Sequence, residues 1–148
     1  STLVETLKDP SKLIESNREA VENTPYKFNN DAKHFVIFIL PRKGVDVSFL
    51  KTLISDYNLS SYSTEIFEIN AMMMGMDYHI LTVKFFENAS FALNYCNDVV
   101  YSKEIIKELK KTDHFIVPIT IENFQDFYVN KDINGYKQFF ENNYLDEN

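Results

Sequence analysis

The sequence predicts an α+β domain preceded by a polar segment. Three observations carry that prediction. Two short apolar runs, HFVIFILP at 34–41 and HFIVPIT at 114–120, share a His-Phe opening; a strand-turn-strand stretch surrounds Gly75; and helical stripes lie between the strand-like runs. At 148 residues, with 45% hydrophobic and 15% aromatic residues, the chain has material for about one domain with a real core.

HFVIFILP is too short and too branched for a helix and is closed by proline, so it reads as a strand buried on both faces. After RKGV, Asp46 is placed to cap a helix whose apolar positions Leu50, Leu53, Ile54 and Tyr57 recur at the 3.6-residue spacing. STEIFEINAMMM, in which Ile66 partly alternates with Glu65 and Glu68, and DYHILTVKFF read as two further strands, the second with Leu81, Val83 and Phe85 on one face. Gly75, in MGMD, supplies a positive φ where the chain reverses.

Asn88 is the expected N-cap of a second helix, with a stripe of Ala89, Ala92, Leu93, Cys96, Val99 and Val100, and a further helical stretch, SKEIIKELKK, follows. HFIVPIT is the fourth strand. Pro118 cannot donate to a ladder, which places that strand at a sheet edge. Two short tail helices follow, the second striped by Ile133, Tyr136, Phe140 and Tyr144, and they are expected to cover exposed surface. The order is strand, helix, strand, strand, helix, strand: a ferredoxin-like βαββαβ sandwich over 34–148, with extra N-terminal and C-terminal helices and residues 1–33 as a helical linker.

Net charge is −7, and the basic residues are scattered apart from Lys107, Lys110 and Lys111, so nucleic acid and anionic membranes are unsuitable partners. The longest apolar run, Phe35 to Pro41, is far short of the ~20 residues a membrane helix needs, and no membrane insertion by this segment is expected. STLVETLKDP lacks the features of a signal peptide, so an exported parent would carry its signal upstream. The single cysteine, Cys96, rules out an internal disulfide and lies on a helix stripe, where it packs better than it reacts.

Two stretches invite a functional reading. NAMMMGMDYH brings together Met72, Met73, Met74 and Met76, with His79 nearby. Thioethers bind soft metals, but consecutive strand residues point to alternating faces, so no metal and no cofactor is expected. The cluster is either packed under another segment or offered to a protein partner. PRKGVDVS, residues 41–48, offers Arg42, Lys43 and Gly44 before a helix start, a possible anion loop of the acylphosphatase sort, although such loops carry more glycine. The first and third strands are expected to run parallel, placing His34 and His79 at one sheet end and His114 at the other, which precludes a three-histidine site. No catalytic constellation stands out, and the chain is not expected to be an enzyme.

Taken together, HFVIFIL, FENASFALNY, HFIVPITIENF and GYKQFFENNY resemble the C-terminal domain of the tetratricopeptide-repeat lipoproteins of Bacteroidota that serve type IX secretion and gliding motility (the PorW/SprE type), over about residues 26 to 145. The matching features are Phe86-Glu87-Asn88 with Ala92 and Tyr95, the His-Phe strand start, and Tyr136, Phe139 and Phe140. The methionine hairpin and the PRKG loop depart from the pattern. The resemblance implies a non-catalytic protein-interaction domain, periplasmic as part of an outer-membrane lipoprotein, at the end of a helical-repeat scaffold. Its partner would be another protein of the envelope assembly. The alternative is a small ferredoxin-like anion-binding or acylphosphatase-like domain using the 41–48 loop.

Overall fold

The computed structural model describes residues 24–145. The chain runs β1 (His34–Pro41), α1 (Val47–Ser61), β2 (Glu68–Met74), β3 (Tyr78–Phe86), α2 (Ala89–Val99), α3 (Lys103–Leu109), β4 (Phe115–Thr120), α4 (Ile121–Asn130) and α5 (Ile133–Asn143). The result is an α+β fold built on a four-stranded antiparallel sheet of order β2-β3-β1-β4. β4, with Pro118, is an edge strand as the missing N–H requires. Of the expected helical linker over 1–33, residues 1–23 lie outside the described residues, and residues 24–33 form no helix, running instead as turn and extended chain.

One strand relation differs from expectation. β1 and β3 are antiparallel, not parallel. α1 carries the chain back before β2, and the Gly75 hairpin reverses it again, so the strand inserted beside β1 must oppose it. His34 therefore pairs with Phe86 and Leu40 with His79, which sets His34 and His79 at opposite sheet ends. His114, just before β4, shares the end of His79.

Both faces of the sheet are covered. Val36, Phe38, Leu40, Leu81 and Val83 pack under α1, α2 and α3 with Leu50, Ile54, Tyr95, Cys96 and Leu109. Phe35, Ile37, Ile39, Ile80, Val117 and Ile119 pack under the tail helices with Phe127, Tyr136, Phe139 and Phe140. β1 is accordingly buried along seven of its eight residues. The second face is largely aromatic: Tyr136 meets Tyr26 edge-on at 5.0 Å and stacks on Phe139 at 5.6 Å. Each such ring contributes about 1.5–3 kcal/mol by burial.

The predicted stripe Leu81, Val83, Phe85 breaks at its last member. Phe35 pairs with Lys84 and His34 with Phe86, so β3 carries one extra residue there. This β-bulge turns Phe86 into the α1 side of the core, fully buried, and leaves Phe85 about half exposed at 47%.

Residues 26 and 27, before β1, are part of the folded unit. Lys27 N–H donates to Asn123 Oδ1 (3.1 Å), and Asn123 Nδ2 donates to Lys27 O (2.8 Å), so a buried amide side chain imitates a strand partner. Tyr26 Oη donates to Asp132 Oδ2 at 3.0 Å, and Asp132 Oδ1 caps α5 by accepting from Gly135 N–H.

Candidate functional site

Four connections meet at the sheet end where β1 finishes and β4 begins: residues 42–46, 75–77, 110–114 and 131–132. Both stretches singled out in the sequence lie here. Arg42 and Lys43 are exposed, and Gly44 takes φ 110°, where a Cβ would come within 3.1 Å of the Thr112 side chain. Three of the backbone donors at this loop are engaged within the chain. Arg42 N–H donates to Asp77 O (2.8 Å), Phe49 N–H to Asp46 Oδ1 (3.0 Å), and Asp46 N–H to Glu108 Oε2 (3.2 Å). Glu108, 3% exposed, also accepts from Lys111 Nζ at 2.8 Å, and that ammonium holds its carboxyl below the usual carboxylate range. An internal carboxylate thus occupies the Asp46 amide, one of those an external anion would use.

The four methionines separate. Met74 is 1% exposed and, with Met72, packs on the tail-helix face; Met73 is half-buried on the opposite face; Met76, at the hairpin tip, is 75% exposed. Gly75 takes φ 62°, and a Cβ there would sit 3.2 Å from the Lys131 side chain. Tyr128 Oη donates to Met73 O at 2.7 Å, fastening β2 to α4. Among the described residues no group of three or more His, Cys, Asp and Glu could hold a metal ion, and no helix is long and apolar enough to cross a membrane.

The histidines and the cysteine are tied into the fold to different degrees. His34 is fully buried; its Nδ1 contacts Ala32 O at 2.7 Å and its Nε2 contacts Tyr144 Oη at 2.8 Å. A carbonyl only accepts, so Nδ1 carries the proton and Nε2 accepts from the tyrosine. Burial lowers the His34 pKa. Cys96 is buried, and desolvation pushes its thiol up. His114 is half-buried, with Nδ1 3.2 Å from Thr112 O.

A cleft of about 660 Å³ opens at this end, floored by Ile39, Pro41 and Phe115 and rimmed by Lys110, His114 and Lys137, with Asp113 beside them. The Lys137 ammonium stands 5.3 Å from the centre of the Phe115 ring. A second cleft, about 470 Å³, shares His114 and Phe115 and continues along the β4 edge between Val100 and Tyr101 on one side and Phe140 on the other. Lys137 carried no sequence signal. It becomes part of the site only because α5 folds back onto β4, a long-range event with no local pattern. No family model, curated protein or solved structure matches the chain.

Proposed function

We propose that this is a ferredoxin-like domain acting as a non-catalytic protein-interaction module of a cell-envelope secretion or gliding-motility assembly, held in the periplasm as part of an outer-membrane lipoprotein. The strand order β2-β3-β1-β4, with helical crossovers after β1 and β3, supports the fold reading. The observation that carries the functional reading is the fate of the reactive groups. Cys96 is in the core, His34 is bonded at both ring nitrogens, Glu108 is engaged by Lys111 and the Asp46 amide, and the Tyr95 hydroxyl is held by buried Asn58. These groups hold the fold together, and the exposed surface is left to contact a partner. Removing 34–148 from the full-length parent is expected to impair secretion or gliding with no loss of small-molecule turnover; normal secretion without the domain would refute the reading.

The anion-loop alternative makes a separate demand. Phosphate bound through the Asp46 amide would have to displace Glu108 from it, at the cost of leaving a 3% exposed carboxylate with one partner fewer. Titration with phosphate, followed by amide shifts over 42–48, is expected to give a flat response. A saturable response abolished by Arg42→Ala would promote the alternative.

A further inference from the structure

The two clefts flank one stretch of backbone, the first half of the β4 edge. In an antiparallel pair, residues alternate between those that exchange both main-chain bonds and those that face away. Pro118, opposite Val36, has no N–H to exchange, and its carbonyl instead accepts from the Tyr136 hydroxyl. The bonds to β1 therefore fall to Phe115, Val117 and Ile119, and the Ile116 N–H and C=O are directed outward. Pro118 and Tyr136 close the edge at one end, whereas the half from His114 to Ile116 stays open.

We infer that this open half of β4 is a docking groove for an extended protein segment with alternating apolar and acidic side chains, added as a fifth strand on Ile116. The inference rests on the interaction-domain reading and supplies its contact site. Main-chain bonds give such an added strand its affinity, and the pockets beside alternate side chains give it specificity. On the α2 side the groove offers Val100 and Tyr101, the latter 83% exposed. Towards α5 it opens into the cleft where Lys110 and Lys137 stand without an ion-pair partner among the described residues. In a chain of net charge −7, two ammonium groups that outnumber the Asp113 carboxylate leave this open strand edge with a positive rim, which selects for carboxylates. A second copy of this chain fits less well, because symmetric pairing about Ile116 would bring like-charged lysines together.

The test uses the full ¹⁵N-labelled chain and two blocked pentapeptides, Val-Glu-Val-Glu-Val and Val-Lys-Val-Lys-Val. The acidic peptide is expected to bind about tenfold more tightly, to shift the amides of His114, Ile116 and Tyr101, and to slow Ile116 amide exchange about tenfold. The double variant Lys110→Glu, Lys137→Glu alters two exposed side chains and should reverse the preference with the unfolding midpoint retained. Equal response to both peptides, shifts mapping elsewhere, or protection of Ile116 by dimerisation without peptide would overturn the inference. A silent titration, with secretion still lost on removal of 34–148, would sink the groove and leave the interaction reading standing. Peptide binding on Ile116 combined with normal secretion after removal would do the reverse.

Discussion

Replacing Tyr144 with phenylalanine tests how β1 is joined to the tail. The hydroxyl donates to His34 Nε2 at 2.8 Å across 110 residues of chain, and His34 is fully buried, with its other nitrogen committed to Ala32 O. The substitution leaves the ring, and with it the edge contact to Phe28 at 5.0 Å and the stack on Phe140 at 5.6 Å. What is lost is one donor, which leaves a buried acceptor unsatisfied, a change that costs about 1–3 kcal/mol. A loss near 2 kcal/mol lowers the Tm of a domain this size by roughly 6–10 °C.

The same substitution changes the pH dependence. His34 has a depressed pKa because burial disfavours the imidazolium. Between that lowered value and ~6.5, the unfolded chain binds a proton that the folded chain refuses. Stability is therefore complete above ~6.5, falls as the pH drops towards the folded pKa, and levels off below it. Without the tyrosine donor the neutral ring loses part of its advantage, so the folded pKa rises and the variant loses less on acidification. Urea unfolding of both proteins at about pH 7.5 and pH 5 reads this directly: the difference between them should be larger at the higher pH. A difference below about 0.5 kcal/mol, or one identical at both pH values, would show that the hydroxyl does not hold the ring.

Three further outcomes follow from the same geometry. Glu108→Gln should cost about 1 kcal/mol at neutral pH, since the Lys111 pair is partly solvated. Because the Glu108 pKa is depressed, its contribution is present above the unfolded carboxylate value and lost as pH falls through the folded one, so the variant and the parent should converge in acid unfolding curves. Gly135→Ala should destabilise by about 1 kcal/mol despite alanine's better helix propensity, because its Cβ would collide with the Asp132 carboxylate that caps α5 and holds Tyr26; a stabilised variant in thermal unfolding would contradict this. Under dilute peroxide, mass mapping should find Met76 oxidised first with the fold intact, and Met74 protected until global unfolding; simultaneous oxidation of both would mean the hairpin opens locally.

The parts of the fold that were legible in the sequence are those decided within a few residues. Asp46 and Asn88 cap their helices through Phe49 and Phe91, three residues away, and nothing distant is needed to place them. Pro118 marks an edge because it has no N–H, whichever strand lies beside it. The features that sequence reading missed depend on partners far along the chain. Tyr95 was conspicuous as a position, but the bond from its buried hydroxyl to Asn58, in another helix, joins two residues that no local pattern links. The bulge that exchanges Phe85 for Phe86 is a matter of register against β1, and alternation read from one strand cannot contain it. The candidate site follows the same division: the PRKG loop and the methionines were conspicuous locally, whereas Lys137 and the groove beside β4 exist only after α5 has docked.

The methionine run itself is explained by the position of β2. It is an edge strand whose two faces meet different neighbours: the tail-helix aromatics cover Met72 and Met74, and Met73 lies on the opposite face. Consecutive residues on such a strand must fill two unequal and incompletely closed spaces. Unbranched methionine adapts to both, where a β-branched residue would demand one well-shaped pocket on each side. The Tyr128 hydroxyl on Met73 O then holds the strand end against α4, as the Tyr136 hydroxyl holds Pro118 O on the opposite edge. Each edge is thus guarded by one tyrosine from the tail. The guard on β4 lies towards the end of that strand, and this asymmetry leaves Ile116 as the open main-chain position.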